Sequence, residues 1–230
     1  VTLRVATFNV HHGAPSRGTV DLDATIDACR SLDADVLCLQ ELDVSASRSG
    51  GVDQPAAIAD ALGMVLVFAP TVALPGGGRY GHAVLSRRPL RNVEVLPLTG
   101  MAGREPRMAI LAEWSTDHLE MSIASTHLHN AQRGDPDPPV AIQQLKEMLA
   151  ALVQRPGPRI ALGDLNLDAA VASGAFEDVG MRRVNTPPTC PSRRPTSTPD
   201  HVAVDGLSVG DASVPATTVS DHRPVVVDLS

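Results

Sequence analysis

Aromatic side chains make up only 2% of this 230-residue chain, with one Trp, one Tyr and three Phe. A core must therefore come from Val, Leu, Ile, Ala and Met, and the stacking platforms of a single-strand nucleic-acid binder are missing. No stretch resembles a basic tail, and the formal charge is −7. Holding nucleic acid by bulk phosphate neutralisation is disfavoured on that ground. A local pocket is not, because some of the negative charge can serve as metal ligands. The three cysteines, Cys29, Cys38 and Cys190, have neither an even count nor zinc-ligand spacing, so no disulfide framework is implied. Cys29 and Cys38 fall in a helix and a strand pattern, where a small buried hydrophobe is expected. GxSxG and HExxH are absent, and the glycines at 76–78 lack the spacing and GK[ST] ending of a P-loop. Covalent serine or cysteine hydrolysis is disfavoured. The apolar runs fall far short of a membrane span. No signal peptide is visible at Val1, so a cytoplasmic location is the first expectation; secretion stays open, because processing removes such segments.

What is present is a chain with 43% hydrophobic residues, enough for a sizeable core. It reads as one α/β domain over residues 1–230, expected to be a monomer. Strand patterns cover 3–8, 35–40, 64–70, 81–86, 109–114, 121–126, 159–164, 201–206 and 224–229. Helical stripes cover 21–30, 54–62 (capped by Asp53 and stopped by Gly63) and 139–154, where Ile142, Leu145, Met148, Leu149 and Leu152 recur at helical spacing. Residues 186–199, rich in Pro, Ser, Thr and Arg, read as loop. Dense β-runs between 65 and 126 without long helices between them favour two packed sheets flanked by helices over one open parallel sheet.

Polar residues recur where these apolar strands end. TFNVHHG places Asn9 at the first end, and LCLQELD places Gln40 and Glu41 at the second. ASTHLHN supplies His127, ALGDLNLD supplies Asp164 and Asn166, TPDH supplies Asp200, and SDHRP supplies Asp221 and His222. Buried strands have no packing use for such tips, and their repetition predicts convergence on one rim. Glu41, Asp164 and Asp221 are hard oxygen ligands suited to Mg²⁺ or Mn²⁺, with Asn9 and Asn166 adding neutral oxygens. His222 and Asp200 suit a pair in which the carboxylate fixes the imidazole tautomer. His127 and the Asn166 amide supply donors to a phosphoryl group. The eight histidines raise the alternative of a zinc site with Asp164, although their spacing resembles no compact zinc motif.

These motifs, in this order over nearly the whole chain, resemble the endonuclease/exonuclease/phosphatase superfamily, whose fold is DNase-I-like. The resemblance implies a four-layer α/β sandwich of two mixed, mainly antiparallel sheets with helices outside. It also implies divalent-metal-dependent hydrolysis of a phosphate ester. By motif, Glu41 resembles the metal-binding glutamate and Asn9 its neighbouring asparagine. Asp164 and Asn166 resemble the pair orienting water and phosphate, His222 and Asp200 the histidine and its aspartate, Asp221 the metal-side carboxylate, and His127 the phosphate-contacting histidine. The chain departs from the pattern in having Pro199 before Asp200, which fixes φ and removes an amide donor.

Further candidates are substrate contacts from Arg107, His11, Tyr80, His82 and Asn130, with His12 beside His11 and Arg133 at the entrance. Each also has a plain reading as a surface or loop residue, and Asp164 with Asn166 also reads as an Asx-turn. The acidic balance and scarce aromatics place a small-molecule or lipid-headgroup phosphoester ahead of nucleic acid as the partner. Cleavage of DNA or RNA stays as the alternative, as does a non-catalytic module on the same fold. Arg79, Arg87, Arg88, Arg104, Arg107 and Arg133 are the cations from which a basic cleft would be built.

Overall fold

The computed structural model describes residues 2–15, 18–131 and 139–230. Among these, twelve strands form two six-stranded sheets. The first takes β1 (Leu3–Asn9), β2 (Val36–Val44), β3 (Val65–Ala73) and β4 (Arg79–Ser86). The second takes β5 (Arg91–Pro97), β6 (Met108–Ser115), β7 (Glu120–His127), β8 (Arg159–Asp164), β9 (Arg182–Arg183) and β10 (Asp200–Asp205). The chain then returns to the first sheet through β11 (Val209–Ser213) and β12 (Val225–Leu229). Strand orders are β11-β12-β1-β2-β4-β3 and β5-β6-β7-β8-β10-β9. Only β1–β2 and β7–β8 pair in parallel; the other ladders are antiparallel.

Period-two alternation explains the layering. Leu3, Val5, Val36, Cys38, Ile110, Ile123, Ile160, Leu162, Val202 and Val225 form the core between the sheets. The alternate residues face outward onto helices. Phe8, Leu37, Leu39 and Leu85 meet α1 (Leu22–Ser31) and α2 (Gln54–Leu62). Leu111, Ala124 and Ala203 meet α3 (Val140–Val153) and α4 (Ala169–Glu177). The order is helix, sheet, sheet, helix, as the motifs imply. Each buried Leu or Val in these layers contributes roughly 1.5–3 kcal/mol by leaving water. The core is aliphatic, as the scarcity of aromatics requires; Phe8 and Phe176 are its large fully buried rings.

Among the described helices, α1, α2 and α4 each start at an aspartate cap. Asp21 accepts from the Ala24 amide at 2.9 Å and Asp53 from Ala56 at 3.1 Å. Gly63, at φ +65°, ends α2 in the left-handed conformation, which glycine adopts without a Cβ penalty. Four elements escape the sequence patterns: β5, β9, β11 and α4. The residues of β5 are almost all exposed and β9 has two residues, so neither carries an apolar rhythm. In α4 the buried side chains are Ala172, Ala175 and Phe176, too small a stripe to stand out, although Asp168 caps it through the Val171 amide at 3.1 Å. The third strand also runs on to Ala73, past Pro70. The glycines at 76–78 make the β3–β4 connection, with Gly76 and Gly77 at positive φ. No helix among the described residues is long and apolar enough to cross a membrane.

Candidate active site

The alternation that buries Val5, Cys38, Ile123, Leu162 and Val202 also aims the polar strand tips. Asn9, His127, Asp164 and Asp200 are an even number of residues from inter-sheet positions on their own strands, so they continue the inter-sheet face. The ladders bring them together. Asp164 is the direct partner of Asp200 across β8–β10 and of His127 across β7–β8. Gly163 permits this approach, since a Cβ there would stand 2.1 Å from the Thr126 carbonyl oxygen.

Glu41 reaches the same rim by a different device. The β2–β4 register slips between Leu39 and Leu42, and Glu41 has φ +62°. This bulge reverses the alternation, so that Leu37, Leu39 and Leu42 all face the helices while Glu41 turns toward the cleft. Asn9 ties the two carboxylates together: its amide donates to Glu41 Oε1 and to Asp164 Oδ2, each at 2.9 Å. Its own oxygen accepts the His11 amide at 3.0 Å.

Asp164 is the hub. Its Oδ1 accepts the Asn166 amide at 3.0 Å, which makes the Asx-turn that a plain reading of the sequence expects. Its Oδ2 stays directed inward, 3.6 Å from His127 Nε2 and 3.9 Å from His222 Nε2. His222 Nδ1 lies 2.8 Å from Asp200 Oδ2. A carboxylate accepts only, so Nδ1 carries the proton and Nε2 faces Asp164. Thr189 also donates its hydroxyl to Asp200 Oδ2. Asn166 gives a side-chain N–H to the Leu128 carbonyl at 3.0 Å. Pro199 costs this corner one amide, yet its carbonyl accepts from Leu165 at 2.8 Å.

Burial and charge shift the titrations. Burial drives the Asp164 carboxyl up to about 7, and the Asp200 charge adds to it, against His222 and the Asn9 hydrogen bond. For His222, burial opposes the charge, but the adjacent Asp200 outweighs it and raises the imidazole far above its ordinary value. His127 is held well below its usual range by burial, with the Arg107, His82 and His222 charges acting the same way. The site thus couples a cationic imidazole with a neutral one across a single carboxylate.

Asp221 is half-exposed beyond this cluster, its Oδ1 3.9 Å from His11 Nδ1. Ser220 fastens its loop by donating to the Asn9 carbonyl at 2.7 Å. A cavity of about 280 Å³ opens around Glu41, lined by His11, His12, Arg48, Tyr80 and Glu105. Burial and the Glu41 charge raise the Tyr80 phenol well above its ordinary range. Arg48, clamped to Asp43 by two hydrogen bonds, lies 5.3 Å from the Tyr80 ring centroid.

The remaining candidates fall farther back. Arg107 is buried and donates to Glu105 Oε1 at 3.1 Å. His82 is buried too, and burial, with the Arg107 charge, lowers it to about 4. Asn130 is exposed, and Arg133 lies outside the described residues. Sequence reasoning missed Thr189, Arg48 and Glu105. Thr189 sits in a segment whose composition says only loop, while its partner Asp200 is eleven residues on. That loop is in fact pinned: Ser192 donates its amide to the Asp221 carbonyl at 2.6 Å and its hydroxyl to Ser220 at 2.7 Å. Its tip carries Arg193 and Arg194 into a groove of about 860 Å³ that also includes Thr217 and Arg223, and among the described residues no carboxylate lines it.

Fold and site together define a class. Residues 6–222 match the model of the Endonuclease/Exonuclease/phosphatase family, and the chain belongs to that family. Among curated proteins it is similar to UPF0294 protein VV2535 of Vibrio vulnificus (strain YJ016), 36% identical over 93 residues. That match takes in 38% of this chain, and the chain spans only 33% of that relative's length. Among solved structures it resembles an endonuclease/exonuclease/phosphatase from Beutenbergia cavernae DSM 12333, with TM-score 0.78 and 23% identity over 99% of this chain and 71% of that one. It also resembles a mannosyl-6-phosphatase of Bacteroides thetaiotaomicron VPI-5482, with TM-score 0.78 and 16% identity over 99% of both chains. At these identities the two structural likenesses speak for the fold.

Proposed function

We propose that the protein is a Mg²⁺- or Mn²⁺-dependent phosphoesterase that hydrolyses a small-molecule or lipid-headgroup phosphate ester. One observation carries this reading: Asp164 Oδ2 is flanked by the Asn9 amide, His127 Nε2 and His222 Nε2, with Asp200 behind His222. A carboxylate with raised affinity for protons, set between donors, is equipped to align a water and take its proton. His222, kept charged by Asp200, neutralises the phosphoryl oxygens as charge grows on them. Neutral His127 contributes a hydrogen bond without a second full charge. Thr189 and Asp200 hold the His222 ring in its orientation, and Asn9 fixes the spacing of Asp164 from Glu41.

A divalent cation fits at Glu41. One carboxylate oxygen is held by Asn9, and the residue lines the cavity with Asp221 near its edge through His11. When bound, such an ion supplies Lewis-acid neutralisation at the phosphoryl group. Glu41 would hold it, Asn9 orients Glu41, and Asp221, beside His11, would add negative charge nearby.

The test is a substrate panel of sugar phosphates, inositol phosphates, lipid phosphodiesters, DNA and RNA, each with Mg²⁺ and Mn²⁺. Turnover on the small esters supports the reading, and a folded, metal-supplied protein inert on every class overturns it. A second reading, cleavage of nucleic acid, rests on the arginine-lined groove beside the Asp221 loop. The sequence offered other arginines for a basic cleft, but Arg87 pairs with Asp33 and Arg107 with Glu105. The groove draws instead on Arg193, Arg194 and Arg223.

A further inference from the structure

Two consecutive histidines, His11 and His12, both occupy the left-handed region, at φ +46° and +45°, and Gly13 follows at +78°. Glu41, across the cavity, is at φ +62°. Non-glycine residues seldom take this conformation, and clustering of such strain marks a site where side-chain placement matters more than backbone comfort. The surroundings force it. The His11 amide is held by Asn9 Oδ1, the Val10 amide by the Gln40 carbonyl at 3.1 Å, and the His12 carbonyl by Gln54 Nε2 at 2.8 Å.

The result is a compact donor set. A nitrogen from each imidazole and a Glu41 carboxylate oxygen lie within 4.8 Å of one another. The two rings stand 4.5 Å apart, tilted by 59°. His11 Nδ1 faces the Ala14 carbonyl oxygen at 2.9 Å. A carbonyl only accepts, so Nδ1 donates and the neutral ring keeps its lone pair on Nε2. A backbone carbonyl on one nitrogen and a free lone pair on the other is the arrangement by which proteins orient metal-ligating histidines.

We infer that His11 and His12 join Glu41 as ligands of a cation site with two nitrogens and one oxygen, which prefers first-row transition ions such as Mn²⁺ and Co²⁺ over Mg²⁺. Imidazole nitrogen suits transition ions, whereas Mg²⁺ holds to oxygen and water. An oxygen-only site at Glu41 discriminates far less in this direction. This deepens the metal assignment of the proposed function but does not require turnover.

The experiment is calorimetric titration of the full chain with Co²⁺, Mn²⁺ and Mg²⁺, together with the visible spectrum of the Co²⁺-loaded protein. The proteins are wild type, His11→Asn with His12→Asn, and E41Q. Asparagine tolerates the left-handed conformation, so the double variant is expected to keep its fold, checked by its melting temperature. Wild type should bind Co²⁺ more tightly than Mg²⁺ and show ligand-field bands of nitrogen coordination. The double variant should lose ~10-fold or more of its Co²⁺ affinity, with Mg²⁺ nearly unchanged, as removal of nitrogen ligands implies. E41Q should weaken both ions. Equal Co²⁺ and Mg²⁺ affinity in wild type, or an unaltered Co²⁺ affinity and spectrum in a folded double variant, would overturn the inference. Neither result bears on whether phosphate esters are hydrolysed, which the substrate panel reads separately.

Discussion

Asp164 and Asp200 are direct cross-strand partners in the β8–β10 ladder, and both are buried. Like charges placed opposite one another destabilise a sheet, a repulsion that helps raise the Asp164 carboxyl. His222 resolves it by sitting between them, 2.8 Å from Asp200 and 3.9 Å from Asp164. Replacing Asp164 by Asn should therefore lower kcat by ~10²-fold or more, the scale for a positioned acid–base group. The same change removes that repulsion but leaves the N–H of Asn9 or Asn166 facing an amide group, so the melting temperature should move by only ~2–4 °C for each kcal/mol by which the two effects fail to cancel. Calorimetry and steady-state kinetics on one preparation check both.

Activity should follow the Asp164 carboxyl. Its proton is lost near pH 7, so kcat should climb through that pH and reach a plateau above it. Because Asp200 keeps His222 charged far above neutrality, the plateau should extend well beyond the ordinary histidine range. A pH–rate profile between 5 and 10 reads this. In Thr189→Val the hydroxyl to Asp200 is lost, and the expected effect is a smaller drop in kcat than in His222→Ala (H222A).

Much of this was legible in the strand ends. Asn9, Asp164 and Asp200 do meet, because alternation of period two leaves a polar tip no other face once the apolar residues beside it are buried, and His222 joins them from the loop before β12. Glu41 was identified by motif, but its aim depends on a bulge, and nothing in LCLQELD signals a slipped register. The contact between Thr189 and Asp200 was invisible for another reason: it depends on a loop folding back, with no periodicity to report it. The same is true of the arginine groove. The sequence offered arginines near β4 and β6, while the loop at 190–197 is what carries Arg193 and Arg194 there. The edge strand β5 was missed because its exposed side chains carry no apolar pattern.

Stability should fall in acid through the buried histidines. His82 is lowered to about 4 from the usual 6.5 by burial and by Arg107. The unfolded chain takes up this proton first, so the contribution is intact above pH 6.5 and drains away as the pH falls toward 4. At ~1.4 kcal/mol per pH unit, His82 alone should account for roughly 3 kcal/mol over that window. His82→Leu should flatten that part of the curve in urea melts at pH 7 and pH 4.5. An unchanged pH dependence would show that His82 is not the neutral buried group described.

The arginine groove sets a separate expectation. If nucleic acid is the substrate, Arg193→Ala with Arg194→Ala should weaken binding of a single-stranded oligonucleotide. It should also reduce the slope of log affinity against log salt by ~0.7 per lost phosphate contact. Fluorescence anisotropy at several salt concentrations measures this. Small-ester turnover should be unaffected, since these side chains stand outside the Asp164 cluster.

The most direct test is turnover of p-nitrophenyl phosphate and bis(p-nitrophenyl) phosphate by wild type and H222A, with and without Mn²⁺. Wild type should hydrolyse at least one ester only when metal is supplied, and a folded H222A should retain ~1% of that rate or less. Near-wild-type turnover in H222A, or hydrolysis indifferent to metal, would contradict the account.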